Sequence, residues 1–345
     1  MDAVLQYRNP RGAGAVLFAI LLFSPCAYGR LQSFPSVAKL TEASSTIVVG
    51  EVLKVERLGA TELPTGDGQH YLGDTMAATI EVVEVLKGKV THPVIEVDYV
   101  QNPDWESGPL TNALSENTRV MLFLKERADK YDFAAPEQAS MAMSRDRSAL
   151  PNLLGPDVYA RVIQHLAAPL FSLEDEPQDR VQAIFLIDWE HTQLVMDLYR
   201  AALERAPATS DTALRLELLA ALVRHKDTSV LPAFSEELFS NHDPVYDNVR
   251  SNMILALQQV DAASAEPIFL RAIKLPESGL RTDAIMALKQ FPSEAAVDAL
   301  LDDLDDPDSN TRFQVMEALS FLEHAHTWCP PSGSAESTWG PFLLH

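Results

Sequence analysis

The feature that most constrains the fold is a repeated helical pattern in the C-terminal half of the chain. Each copy of the pattern contains one arginine at the same position. These are Arg215, Arg250, Arg281 and Arg312, separated by 35, 31 and 31 residues. The third and fourth positions after each arginine are apolar, and these offsets share one helix face with the sixth and seventh. The pattern predicts four helices that bury this face. The sixth and seventh positions are always alanine and leucine: Ala221 and Leu222, Ala256 and Leu257, Ala287 and Leu288, Ala318 and Leu319.

A second helix is predicted after each of the first three copies, over residues 230–238, 265–273 and 295–304. Turns that contain acidic residues or proline separate the units, as in segment 306–308. One such hairpin cannot bury both of its faces, so several must stack. A weaker copy starts at Arg180, 35 residues before the first of the four arginines.

The clearest copy of the motif is an Asp-Pro pair at Asp306 and Pro307, followed by Arg312 and then by Ala318 and Leu319. This pattern resembles the short HEAT-like repeats of phycobilin lyases and of many exported bacterial proteins. The resemblance covers about residues 179–323 and implies an armadillo-type solenoid. It does not identify a function, because such solenoids serve many roles.

The recurring residues are expected to hold the stack together. The leucines face the core, and the alanines allow a neighbouring helix to approach closely. Each arginine is expected to pair with the acidic turn of its own or a neighbouring unit, since guanidinium groups bind carboxylates well. The predicted stacking residues are therefore Arg215, Arg250, Arg281, Arg312, Ala221, Leu222, Ala256, Leu257, Ala287, Leu288, Ala318 and Leu319.

The N-terminal part of the chain is predicted to be rich in strands. Segments 47–56, 77–86, 94–100 and 120–124 are β-branched or alternate between apolar and polar residues, and turn clusters separate them. Short strands at this spacing favour a small antiparallel sheet or barrel. The strand order resembles the small barrel at the front of many exported bacterial proteins, and the OB-like barrel of netrin and metalloproteinase-inhibitor domains. The disulfides and N-terminal cysteine of the latter domains are missing here, so inhibition does not follow from the resemblance.

The first 29 residues have the features of an export signal. Arg8 and Arg11 precede an apolar run over 13–23 that is too short to span a bilayer. Ala27 and Gly29 then have the spacing that a signal peptidase accepts, so cleavage is predicted after Gly29. An uncleaved anchor is the alternative. A lipid linkage at Cys26 is disfavoured, because proline precedes it.

Cleavage would leave Cys329 as the one cysteine, so no internal disulfide is expected. The protein is therefore expected to be periplasmic or secreted from a bacterium, without stable membrane insertion. The predicted fold class is α+β multidomain, a small antiparallel β domain followed by an all-α HEAT-like solenoid. The predicted segments are a signal peptide at 1–29, the β-rich domain at 30–140, a linker and lead-in helix at 141–178, the repeats at 179–324 and a tail at 325–345.

The net charge of −22, from 27 basic and 49 acidic residues, argues against nucleic acid as a partner, because no clustered basic surface is present. The sequence lacks the common hydrolase, zinc-protease and nucleotide-binding motifs. No catalytic, cofactor-binding or metal-binding residue is therefore predicted, and no cofactor is expected. The leading hypothesis is a non-catalytic scaffold that binds a protein or peptide. The alternatives are a lyase-like or tetrapyrrole-binding role, implied by the resemblance to phycobilin lyases, and protease inhibition by the β domain.

Three residue groups have a chemical interpretation beside a structural one. Asp306, Asp308, Asn310 and Glu317 match part of a calcium-loop pattern, but they also fit a turn and a helix start. His324, His326 and Cys329 are residue types that bind zinc or copper, although they open an unstructured-looking, Pro-rich tail. Trp189, Glu190 and His191 form a possible functional trio, for which a helix end with a buried tryptophan is the favoured interpretation.

The tail holds Trp328, Trp339, Phe342, Leu343 and Leu344 among polar residues and prolines. A second helix is missing from the last unit, since Pro330 and Pro331 stop it. The end of the stack is therefore expected to be covered, at Val315, Met316 and Leu319, by the tail or by a partner.

The signal prediction gives a first test. We expect exported protein to begin at Arg30, because the small residues before it form the cleavage site. N-terminal sequencing of the exported material measures this directly. An intact Met1 on mature protein would contradict it.

Overall fold

The computed structural model describes residues 35–64, 70–103, 111–128, 130–135, 139–143, 157–172, 175–206 and 211–328. The chain divides into two compact units, one up to Leu214 and one from Arg215 onward. The predicted signal segment, Cys26, Cys329 and the tail from residue 329 lie outside the described residues. Within the described ranges, no helix combines the length and the apolar character that crossing a membrane requires.

The first unit contains a six-stranded mixed sheet. Its strands are β1 (Thr46–Pro64), β2 (His70–Lys87), β3 (Val94–Gln101), β4 (Arg119–Arg127), β5 (Lys130–Phe133) and β6 (Ser140–Ala142). Their order is β1-β2-β3-β5-β4-β6, and β1 also pairs with β4. That additional pairing closes five of the strands into a ring, which is the barrel that the strand pattern predicted.

The alternation of side chains explains which residues fill the barrel. Ile95, Val97 and Tyr99 of β3 are buried, and the residues between them are more exposed. In β4 every residue from Val120 to Leu124 is buried. One face of β4 contributes to the barrel core, and helix α1 (Val37–Ala43) lies against this strand. A strand covered on both faces has the continuous apolar run seen here.

The sheet departs from the expected antiparallel pairing at one place. β3 and β5 run parallel, with Val97 beside Tyr131 and Asp98 beside Asp132. The physical reason is the number of strands in the ring. Five strands cannot close with every neighbouring pair antiparallel, because the direction would have to alternate around an odd ring. One parallel pair is therefore required, and it occurs at the short strand β5.

Three further helices lie in the first unit: α2 (Val158–Ala167), α3 (Pro177–Ile187) and α4 (Gln193–Arg205). The side chain of Asp157 accepts a hydrogen bond from the Ala160 amide at 2.6 Å, which caps the start of α2. Arg161 of α2 then donates to the Leu86 carbonyl of β2 at 2.9 Å. Lys87 donates to the Thr41 carbonyl of α1 at 2.7 Å, so β2 is hydrogen-bonded to both α1 and α2.

The remaining helices are the repeat. They are α5 (Thr212–Arg224), α6 (Leu231–Ser240), α7 (Asp247–Ala256), α8 (Ala262–Ala272), α9 (Ser278–Leu288), α10 (Glu294–Asp302) and α11 (Ser309–Trp328). The first helices of the units are α5, α7, α9 and α11, and the second helices lie between them in sequence. α9 packs against α7, α8 and α11, which is the contact pattern of a stacked solenoid. α11 runs past residue 324, the predicted end of the repeats, because no helix breaker occurs before Pro330.

The predicted inward face is buried through the first three units. Ala221, Leu222, Ala256, Leu257, Ala287 and Leu288 are all inaccessible or nearly so. In the last unit Ala318 is buried, Leu319 is half-buried and Met316 is exposed. The repeat pattern therefore locates the core, and its last copy is only partly covered by the described residues.

Two substitutions in one helix test this packing. We expect Leu288→Ala to lower the free energy of unfolding by about 2–5 kcal/mol, because a fully buried leucine leaves a cavity. Leu257→Ala, directly after the end of α7, is expected to cost a similar amount, because Leu257 is also fully buried. Met286→Ala is the matched control in α9, since Met286 is exposed and should lose well under half as much. Urea denaturation measures all three, and equal losses for Leu288→Ala and Met286→Ala would contradict the helix register.

Candidate functional site

The four repeat arginines differ in their contacts. Arg215 of α5 pairs with Glu237 of α6, within its own unit. Arg281 donates to the carbonyl oxygen of Leu275 at 3.0 Å, and its Nη2 lies 3.3 Å from Asp306 of the following turn. Arg312 is bound to its own turn through the backbone, donating to the Asp306 carbonyl at 2.7 Å and to the Pro307 carbonyl at 3.1 Å. The arginines thus contact helix ends and turns, some with carboxylates and some with carbonyls.

Arg250 is the most enclosed of the four, with a fully buried side chain. Its Nε donates to the Leu238 carbonyl of α6 at 3.1 Å. Its Nη1 lies 3.1 Å from Asp247 at the start of its own helix and 2.9 Å from Glu277 in the next turn. A buried guanidinium is stable only where such partners compensate its charge. Arg250 therefore joins three consecutive elements of the stack.

Glu277, in the turn before α9, is the second carboxylate partner of Arg250. It is mostly buried, and burial by itself raises the pKa of its carboxyl. The hydrogen bond and the charge of Arg250 outweigh that effect, so the pKa of Glu277 lies below its ordinary value. Removal of the Glu277 carboxylate would therefore leave a buried cation without one of its counter-ions.

A small concave site of about 140 Å³ lies between the first helices α7 and α9. It is lined by Asp247, Asn248, Ser251, Glu277, Gly279, Leu280 and Asp283. Three of these residues are carboxylates and none is basic. At Gly279 the space is open, since no atom lies within 4 Å of where a Cβ would stand. We call this site the α7–α9 groove.

The groove is built from a polar contact that recurs between successive first helices. Ser251 of α7 donates its hydroxyl hydrogen to the carboxylate of Asp283 in α9. One unit earlier, Asn252 of α7 donates to Glu217 of α5 at 3.1 Å. These residues occupy the first two offsets after the repeat arginines. The same helix side that stacks the units therefore also presents a row of polar groups.

Asp283 is the electrostatically distinct residue of the groove. Burial raises the pKa of its carboxyl, and the hydrogen bond from Ser251 offsets this only in part. A carboxylate that has lost hydration without gaining a cation is stabilised when a positive group approaches. The groove is thus suited to an ammonium or guanidinium group of a ligand.

The trio of Trp189, Glu190 and His191 has a different structure from the one favoured above. Trp189 is 72% exposed, so the interpretation as a helix end with a buried tryptophan was wrong. Glu190 is the buried residue of the three, and it follows the turn that ends α3. It accepts a hydrogen bond from the Tyr159 hydroxyl at 2.8 Å and one from the Ala38 amide at 3.4 Å. Burial, followed by this bond to Glu190, raises the pKa of Tyr159 well above its ordinary value.

Two residues of the calcium-loop pattern, Asp306 and Asp308, lie just before α11 and form its capping turn. The Asp306 carboxylate accepts from the Asp308 amide at 2.8 Å, and Asp308 accepts from the Thr311 hydroxyl at 2.8 Å. Glu317 pairs with Lys289 at 2.7 Å. The Asp308 pKa is lowered chiefly by the bond from Thr311, as expected for a capping carboxylate. The side chains of His324 and His326, and all of Cys329, lie outside the described residues.

Comparison with known proteins agrees with this geometry. The HEAT repeats family matches residues 245–320, which contain α7 to α10 and the first part of α11. No curated protein matches the chain. The C-terminal helices are thus a HEAT-like solenoid, a class of structure that generally mediates protein–protein interaction. The sequence pattern had located these repeats, whereas the groove was missed, because its carboxylates lie on different helices and have no local motif.

The ion pair with Arg250 gives a pH-dependent prediction. We expect Glu277→Gln to lower the free energy of unfolding at pH 7 by about 1–3 kcal/mol, since Arg250 loses a charged partner without leaving the core. The Glu277 pKa is lowered in the folded state, so its stabilisation is present above the unfolded pKa and is lost as pH falls through the folded pKa. The gap between the two proteins should therefore narrow below about pH 4.

Urea denaturation at a series of pH values measures this gap. Glu236→Gln serves as the matched control, because Glu236 is exposed on α6, and should change the free energy of unfolding by less than about 0.5 kcal/mol. A gap that is constant with pH, or equal effects of the two substitutions, would contradict the role given to Glu277.

Proposed function

We propose that the protein is an exported, non-catalytic scaffold whose HEAT-like solenoid binds a protein or peptide partner through the α7–α9 groove. A stacked helical repeat offers an extended surface that suits such partners. The signal pattern of residues 1–29 supports export, and the HEAT repeats family match supports the binding role.

The observation that carries the proposal is the charge arrangement of the groove. Asp247, Glu277 and Asp283 line it, whereas Arg250 is fully buried and already bound to the first two. Asp283 accepts a hydrogen bond from the Ser251 hydroxyl, and no basic side chain among the described residues pairs with it. A lysine or arginine side chain of a partner would supply the missing positive charge, and the net charge of −22 favours the approach of such a partner.

The partner is therefore a protein segment that presents basic side chains. Its backbone and apolar groups would lie along the neighbouring first helices, and one basic side chain would enter the groove. Pairing of charges in a partly desolvated site contributes to specificity and to the rate of association.

Peptide binding tests this function. Fluorescently labelled peptides of one length, rich in lysine and arginine, rich in glutamate, or neutral, are titrated with the protein and followed by anisotropy. We expect only the basic peptides to bind, with affinity that falls as salt is added. The double variant Asp247→Asn and Asp283→Asn should weaken their binding about tenfold or more, as expected for a lost interaction of at least 1.4 kcal/mol.

The control is the double variant Asp298→Asn and Asp302→Asn, which removes the same charge from exposed positions of α10. It should bind basic peptides nearly as the unmodified protein does. Equal weakening by both double variants would show that only overall charge matters. Equal binding of neutral and basic peptides would overturn the proposed partner class.

A further inference from the structure

The last first helix, α11, carries large apolar side chains that the described residues leave exposed. Phe313 is 57% exposed, Met316 54% and Phe321 59%. Phe313 and Met316 lie one turn apart, and Phe321 lies about two turns beyond Phe313 on an adjoining side. We call these three residues the α11 apolar face. Several exposed large apolar side chains on one helix mark a candidate contact site.

Comparison with the earlier units shows what this face lacks. Met316 stands four positions after the repeat arginine, and the equivalent residues Leu219, Ile254 and Ile285 are all fully buried. The exposure is thus specific to the last unit and does not belong to the repeat position itself.

The earlier units also share a buried residue in their second helices. It stands 19 positions after the repeat arginine and is Phe234, Phe269 or Leu300, each fully buried. In the last unit this position is Pro331, preceded by Pro330. Each of two consecutive prolines removes a helix hydrogen bond and clashes with the preceding turn. We therefore do not expect the covering helix of the earlier units to recur in this register.

The chain itself supplies apolar residues a short distance further on. Trp339, Phe342, Leu343 and Leu344 lie within six positions of one another, and Glu336 is the one acidic residue between 329 and 345. α11 extends about 22 Å from Phe313 to Trp328, at 1.5 Å per residue. The eleven steps from Trp328 to Trp339 span up to about 36 Å of extended chain. The segment is therefore long enough to return along the whole helix.

We propose that residues 339–344 pack on the α11 apolar face and cap the end of the solenoid. This segment takes the place of the second helix that the prolines exclude. Val315 was also expected to need a cover, and this expectation was wrong. Val315 is already fully buried and does not belong to the exposed face of α11. The contact is separate from the α7–α9 groove and does not depend on the proposed function.

Oxidation of Met316 by dilute hydrogen peroxide, followed by peptide mass spectrometry, tests the contact in the full chain. We expect Met316 to be oxidised slowly in the unmodified protein, although it is exposed among the described residues. In the double variant Trp339→Ser and Phe342→Ser its oxidation should become several-fold faster. The control double variant Glu336→Ser and Thr338→Ser alters polar positions of the same segment and should leave the rate unchanged.

Met286 of α9 is an internal reference, since its partial exposure is independent of the segment. An unchanged Met286 rate shows that the fold is retained in each variant. Equal Met316 rates in the unmodified protein and the Trp339, Phe342 variant would overturn the proposal. Protection of Met316 that disappears on dilution, with a matching change in hydrodynamic size, would assign the face to a second copy of the chain and would overturn it as well.

Discussion

The helical stack depends on one buried charge. Arg250 is removed from solvent, and its guanidinium is held by a carbonyl of the preceding helix, a carboxylate of its own helix and a carboxylate of the next turn. A buried cation strongly penalises any arrangement in which a partner is missing. Apolar packing alone tolerates small slips of one helix along another. The buried charge does not tolerate such slips, because each of them would remove a partner. It therefore defines the positions of α6, α7 and the start of α9 together.

This requirement also shapes the groove. Glu277 points its charge inward to Arg250, and its pKa is lowered by that contact in spite of burial. Asp283 lies on the same wall, but burial raises its pKa and Ser251 only partly compensates. Two carboxylates on one surface therefore differ in what they can still bind. The charge of Glu277 is already compensated by Arg250. The carboxylate of Asp283 would still be stabilised by a positive group.

The sequence predicts what is encoded locally. The Ala-Leu pairs recur on one helix face, so the repeat and most of its buried residues follow from periodicity, and the strands of the barrel follow from alternation. The burial of Glu190 depends on Tyr159 and Ala38, which are far away in sequence, and no local pattern reports it. Trp189 was therefore expected in the interior position that Glu190 occupies. The parallel pairing of β3 with β5 follows only once the ring of five strands is known to close.

The barrel and the solenoid differ in whether their terminal elements keep unpaired or uncovered surface. In the barrel, β1 pairs with both β2 and β4, so the five strands close into a ring in which each strand has a paired neighbour on both sides. A solenoid has no such closure, since each unit is covered by the next, and the last unit keeps the apolar residues that a successor would bury. Leu219, Ile254 and Ile285 are fully buried in units that have both a second helix and a following unit, whereas Met316 has the same position and neither neighbour among the described helices. The same repeat pattern that specifies the fold therefore leaves an apolar surface on its last described unit, which no other described unit covers.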